Sequence, residues 1–234
     1  MKGVFLNIVV EGSTEENFIN QILKPYLAER HIWVNARQLE TGWDRLHNKP
    51  AKGGLLKFPK FRADLLNWIA EGKHRKDKVY YSSLLDLYAF PIDDQSPYTE
   101  EIRSIADPYA KVARLEDAIS KNINSPVFIP FVQLHEFEAM LFTDINCLNS
   151  LYPDKAGAVN RLARSVQGLP PEEINEKPQT APSKRIISYL PEYEAGKNAD
   201  GPLAVMEIGL DRVRQACPHF DEWLKKLESL TENL

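Results

Sequence analysis

The stretch Leu6-Asn7-Ile8-Val9-Val10-Glu11-Gly12-Ser13-Thr14-Glu15-Glu16-Asn17-Phe18 constrains this chain more than any other. Residues 4–10 are a short apolar, β-branched run, the composition of a strand buried on both faces of a parallel sheet. Gly12 punctuates it. Ser13 then begins Ser-x-x-Glu, closed by Glu16, a capping box that predicts a helix start. A buried strand passing at once into a helix points to an α/β fold. Glu11 stands at the carboxyl end of that strand, where open α/β sheets place their ligand sites. A carboxylate there is costly unless paired, whether with a salt-bridge partner or with a divalent cation.

The placement recurs. After an amphipathic helix over 14–30, interrupted by Pro25, residues 31–39 alternate as an edge strand. Residues 41–59 read as irregular. Their Gly53-Gly54 pair, flanked by Lys52 and Lys57, can cradle an anion, although it lacks the Walker pattern. A helix over 61–70 leads to a second apolar run, Val79-Tyr80-Tyr81-Ser82-Ser83-Leu84-Leu85, which ends on Asp86. Two such strands meet at one sheet edge if they are parallel neighbours, and the intervening helix is what a crossover requires. A helix over 109–120 precedes a third run, Val127-Phe128-Ile129-Pro130-Phe131-Val132, where Pro130 predicts a bulge or a break in pairing. The run ends on His135-Glu136-Phe137-Glu138, and the pattern turns helical. His135 and Glu138, three apart, then fall on a common side. From 146 onward the chain reads as short helices and proline-rich connections. The predicted organisation is an α/β domain over 1–145, a mostly parallel sheet flanked by helices, with a helical extension over 146–234 packed on it.

Strand-end acids Glu11, Asp86, and Glu136 or Glu138 are hard oxygen donors, suited to Mg²⁺ or Mn²⁺. Such ions commonly serve phosphoryl transfer and phosphodiester cleavage. No Gly-x-Ser-x-Gly elbow, Gly-x-Gly-x-x-Gly fingerprint or Walker A motif is present, which sets aside serine hydrolases, dinucleotide enzymes and NTPases. The net charge of −4 gives no global signal for nucleic acid, so the 29 Lys and Arg matter only as a local patch. Cys147 and Cys217 have no metal-like spacing and suit a reducing compartment. No apolar run reaches membrane-spanning length and no secretory signal opens the chain, so the expected location is cytoplasmic.

The Glu-Gly turn before a helix, with a later strand ending in Asp, resembles the Toprim domain of topoisomerases, primases and related nucleases. Val10-Glu11-Gly12-x-x-Glu15, Leu85-Asp86-Leu87-Tyr88-x-Phe90-Pro91 and His135-Glu136-Phe137-Glu138-Ala139-x-Leu141-Phe142 together resemble the Toprim-like domain-of-unknown-function family 4276. Pro182-Ser183-Lys184-Arg185, Gly201-Pro202-Leu203-Ala204 and Cys217-Pro218-His219-Phe220 extend the resemblance over nearly the whole chain. It implies a Toprim-like (Rossmann-like) fold, often encoded beside an ATPase in bacterial defence loci. It also implies Glu11 as metal ligand or general acid/base, and an Asp-x-Asp pair after a later strand. Here that pair reads Asp86-x-Tyr88, which puts two-metal catalysis in doubt unless Glu136, Glu138 or Asp93 substitutes. The leading expectation is a Mg²⁺- or Mn²⁺-dependent nuclease component acting on DNA or RNA with a partner ATPase. Glu11, Asp86, Glu136 and Glu138 would supply metal ligands. Glu138 and Lys184 would join Glu11 and Asp86 in catalysis, and Lys52, Lys57, Lys184 and Arg185 would contact phosphate. The alternatives are a non-catalytic module that docks an ATPase, or a small-molecule phosphohydrolase.

Overall fold

The computed structural model describes residues 3–44, 49–52, 57–88, 90–174 and 180–232, of which 40–44 and 49–52 are described as backbone. The opening run forms β1 (Val4–Val10). Behind it α1 (Ser13–Phe18), a π-helical turn over Ile19–Leu23 and α2 (Lys24–Ala28) make one uninterrupted helical path. Pro25 enters at the first turn of α2. Its missing N–H removes one rung of the helical ladder, and the widened turn just before it accommodates that loss. The chain returns as β2 (Ile32–Gln38), parallel to β1 and at the edge of the sheet, as its alternation predicts.

Residues expected to be irregular instead hold an antiparallel pair, β3 (Glu40–Asp44) and β4 (Lys49–Lys52). The Gly53-Gly54 pair lies outside the described residues. Helix α3 (Phe58–Gly72) then crosses to β5 (Val79–Asp86), which pairs with β1 on the side away from β2. The order β2-β1-β5 therefore reverses direction between β1 and β5, and the two acid-ending strands are parallel neighbours. Short α4 (Glu100–Arg103) and long α5 (Pro108–Ile123) lead to the third apolar run. That run splits around Pro130 into β6 (Phe128–Ile129) and β7 (Val132–Gln133), both parallel to β5. Ser83 repairs the interruption. Its hydroxyl donates to the Phe131 carbonyl at 3.1 Å and accepts from the Phe131 amide at 3.0 Å.

A 3₁₀ turn over Phe137–Thr143 and another over Ile145–Cys147 open the helical half. It continues through α6 (Leu148–Leu151), α7 (Ala156–Ser165), α8 (Pro182–Tyr189), α9 (Tyr193–Ile208), α10 (Leu210–Ala216) and α11 (Pro218–Glu228). Strand alternation divides the core between the two faces of the sheet. Val4, Leu6, Ile8, Val10 and Leu84 pack against α1, α2 and the helical half. Val9, Tyr81, Leu85 and Leu87 pack against α3 and α5. The helical half therefore covers one face of the sheet and shares its core. Trp223 of α11 stacks on Phe131 at 4.4 Å between ring centroids and donates Nε1–H to the Ser82 hydroxyl at 2.9 Å. Both cysteines are buried and free. Among the described residues no helix is long and apolar enough to cross a membrane.

Candidate acidic site

The crevice beyond the carboxyl ends of β1 and β5 is the switch point at which open α/β sheets bind ligands. Glu11 and Asp86 both reach it. The Asp86 amide donates to Glu11 Oε2 at 3.3 Å, so the two strand ends are joined through the glutamate. Asp86 Oδ1 is buried without a hydrogen-bond partner. Burial, and then the fields of Glu15, Glu11, Glu138 and Glu136, push the Asp86 carboxyl well above the usual range. Leaving a carboxylate oxygen unpaired in this setting is expensive, and a cation is its natural complement.

Glu15 arrives because the helix starts one residue earlier than its sequence motif predicts. Gly12, not Ser13, is the N-cap of α1, and the Gly12 amide donates to Glu15 Oε2 at 2.8 Å. The reach-back contact thus falls to Glu15, which turns inward and is 7% exposed. Glu16 turns outward to accept from the Gln38 side-chain Nε2. Desolvation raises Glu15 to about 7, and Glu11 adds to the effect. Glu138, 5% exposed in the 137–143 turn, is likewise raised to about 7 by burial, with Glu136 and Glu15 contributing. Lys197 of α9 is the cation that opposes the shift at both Glu15 and Glu138. Glu15 and Lys197 were not among the candidates from sequence. The Glu at the third position after Gly12 was visible, but nothing in the local pattern of Lys197 connects it with residues more than fifty positions away.

Helix α9 is seated close enough for this by Asn198 and Gly201. Asn198 accepts from the Thr14 hydroxyl through its side chain and from Asn17 through its carbonyl, each at 2.9 Å. A Cβ built on Gly201 would lie 3.1 Å from Phe137 Cε1 and 3.1 Å from the Tyr193 hydroxyl. Gly201→Ala is therefore expected to push α9 against Phe137 of the 137–143 turn and lower stability by about 1–2 kcal/mol. Urea unfolding checks this, and an unchanged midpoint would show that the seam yields freely.

The remaining candidates are distributed more widely. Glu136 Oε2 accepts from the Ser183 amide at 2.8 Å, in the first turn of α8, so this acid also anchors the helical half. Lys184 is exposed on α8, and Arg185 is half-buried with Nε lacking a hydrogen-bond partner. Lys57 is exposed at the N-cap of α3. Lys52 ends β4, where its side chain lies outside the described residues. Asp93, offered from sequence as a stand-in for the missing acid of the Asp-x-Tyr motif, is engaged with backbone amides of its own surroundings. Its Oδ2 accepts from the Phe58 amide at 2.9 Å and its Oδ1 from the Gln95 amide at 3.0 Å, which holds the loop to the start of α3. His135 has a left-handed backbone (φ 66°). Burial and Lys111 lower its imidazole to about 4, which leaves it neutral at pH 7.

Among the described residues no three His, Cys, Asp or Glu side chains already converge as a ligand set. Mg²⁺ does not require one, since it keeps several waters and takes one or two protein carboxylates. A cavity of about 430 Å³ lies at the opposite end of the sheet, lined by Arg75, Val79, Tyr81 and Val127 among others. It is remote from the carboxylates, and the chemistry concentrates at the carboxyl edge.

Fold and site together define an α/β protein with a parallel sheet whose switch point carries a buried acidic cluster. The chain belongs to the family described as domain of unknown function DUF4276, whose model matches residues 10–228. No curated protein matches the sequence. The solved C-terminal region of the OLD protein of Xanthomonas campestris pv. campestris is 14% identical, with a TM-score of 0.39. That alignment covers 94% of this chain and 96% of the other.

Proposed function

We propose that this protein is a Mg²⁺- or Mn²⁺-dependent, Toprim-like component that cleaves phosphodiester bonds in nucleic acid, working beside a partner ATPase in bacterial defence. The observation that carries the reading is Asp86 Oδ1, buried and unpartnered among Glu11, Glu15, Glu136 and Glu138 at the switch point of the sheet. An all-oxygen, all-acidic donor set fits a hard divalent ion. Glu11 and Asp86 would hold it, with Glu138 completing the shell. Such an ion supplies charge neutralisation at phosphate and an activated water. Glu15, which burial raises to about 7 in the metal-free chain and which is not assigned to the ion, would be the group for proton transfer. Lys197 would neutralise a non-bridging phosphate oxygen, a role the sequence reading gave to Lys184 and Arg185. The exposed Tyr88 at the second Asp position favours one ion over two.

The test incubates the protein, alone and with its neighbouring ATPase, with single-stranded and duplex DNA and RNA in Mg²⁺ or Mn²⁺. Cleavage should fall at least a hundredfold in Glu11→Gln and in Asp86→Asn. Cleavage indifferent to both changes would refute the metal assignment. Mn²⁺ binding without cleavage on any substrate would leave the docking module as the better reading.

A further inference from the structure

We infer that Gln133 is a further ligand of the proposed ion, its side-chain carbonyl Oε1 facing the same cation as Asp86 Oδ1. The inference rests on the divalent-ion reading of the acidic crevice and adds to it a neutral oxygen donor from a third strand.

Two buried side-chain oxygens without a hydrogen-bond partner stand on neighbouring strands: Asp86 Oδ1 and Gln133 Oε1. β7 runs parallel to β5, with Val132 opposite Leu85 and Gln133 opposite Asp86. Register partners present their side chains on one face of a sheet, and neighbouring strands lie about 4.8 Å apart. Leu85 and Val132 both pack toward α3 and α5. Asp86 and Gln133 therefore share the other face, where Glu15, Glu11, Glu138 and Glu136 act on Asp86. The Leu87 amide donates to the Gln133 carbonyl at 3.0 Å, which fixes the backbone of the pair.

Gln133 is 0% exposed, and a glutamine buried so completely is expected to have its amide satisfied. Only half of it is. Nε2 donates to the Leu134 carbonyl at 3.3 Å, which fixes the sense of the amide, since the reverse setting would put oxygen against oxygen. The break at Pro130 does not account for this side chain, because the Ser82 and Ser83 hydroxyls bridge that gap. The Gln133 and Asp86 oxygens both accept, so a cation between them satisfies the two at once. Amide carbonyls accompany carboxylates around hard divalent ions. At this edge a neutral donor has a particular advantage: it adds an oxygen without adding charge to a cluster already crowded with carboxylates.

The experiment measures Mn²⁺ binding to the full chain by titration calorimetry at pH 8, with thermal melting of each metal-free variant to show that it folds. Gln133→Met keeps the length of the side chain and removes the hard oxygen, and it should weaken Mn²⁺ binding about tenfold. Gln133→Glu returns an oxygen to the same place and should restore the affinity. A second measurement needs no variant. In the unsubstituted chain labelled with ¹³C at the glutamine side-chain carbonyl, electron–nuclear double resonance of bound Mn²⁺ should show a carbon coupled as strongly as a directly ligated amide. Affinity unchanged in Gln133→Met, affinity lost there but not restored by Gln133→Glu, or no such carbon coupling would each overturn the assignment while leaving the ion at Glu11 and Asp86. Unchanged affinity with a metal-free melting temperature lowered at pH 5 but not at pH 8 would assign the amide oxygen to a proton on Asp86 instead. No Mn²⁺ binding by the unsubstituted chain would refute the metal reading itself, and this ligand with it.

Discussion

Asp86→Asn is expected to raise the melting temperature of the metal-free protein at pH 8 while abolishing Mn²⁺ binding. At that pH the folded chain must hold Asp86 against burial and four neighbouring carboxylates, with Oδ1 unpaired. Asparagine keeps the shape and removes the charge. The gain should be about 1–3 kcal/mol, seen as roughly 2–4 °C per kcal/mol in a chain of this size. The pH dependence follows from Glu15 and Glu138, each raised from 4.5 to about 7 in the fold. Between those values the folded state binds more protons than the unfolded one, so stability falls as pH rises through this window. One such group accounts for about 3 kcal/mol between full protonation and full ionisation. The metal-free protein should therefore melt highest near pH 4.5–5 and lose stability toward pH 8. A divalent ion should reverse the trend, because it competes with protons for the same oxygens and binds tighter as pH rises. Calorimetric melting of the parent and Asp86→Asn, with and without Mn²⁺ across pH 5–8, checks both effects. A lower melting temperature for Asp86→Asn at pH 8 would mean that the acid is a structural partner rather than a strained ligand.

The second large effect is expected at Trp223. Its ring lies flat on Phe131, where Pro130 has broken the strand, and its N–H reaches the Ser82 hydroxyl, which itself donates to the Ile129 carbonyl at 2.6 Å. His219 stacks on the same Phe131 ring at 5.1 Å, and its Nε2 approaches Glu116 Oε1 at 3.0 Å. Glu172 accepts from the His219 and Phe220 amides at 3.0 Å each, at the first turn of α11. Trp223→Ala removes the largest side chain of this junction, leaves a cavity against the sheet and strips Ser82 of its donor. A loss of about 4–5 kcal/mol is expected, a large share of the stability of a single domain. Urea unfolding by circular dichroism measures it. The transition should remain single for the sheet and the helical half, because one core runs through both. Two separate transitions would show that residues 1–145 fold without the remainder.

The strands and their acids were legible in the sequence because short apolar β-branched runs, the alternation over 31–39, and the punctuation by Gly12 and Pro130 are local properties. Val4–Val10, Ile32–Gln38 and Val79–Asp86 needed only their own residues to declare themselves. The cap of α1 shifted by one residue, because Glu15 and Glu16 satisfy the motif almost equally and the choice depends on which side chain can be buried. The pair β3–β4 was not legible, since Gly, Pro and Lys in that segment dominate its local pattern.

By itself, then, the sequence determined an α/β chain whose apolar strands end on Glu11, Asp86 and the 136–138 acids, together with the DUF4276 motifs. Only the tertiary structure decided which acids meet. Helix α9 lies more than a hundred residues beyond Asp86; its approach to the 137–143 turn depends on the absence of a side chain at Gly201, and to α1 on Asn198 finding Thr14. That approach brings Lys197 to Glu15 and Glu138, buries both acids and, with them, raises Asp86. Strand-end acids are a local consequence of strand length. Their desolvation is a collective one, and it is the desolvation that makes this edge of the sheet a candidate metal site.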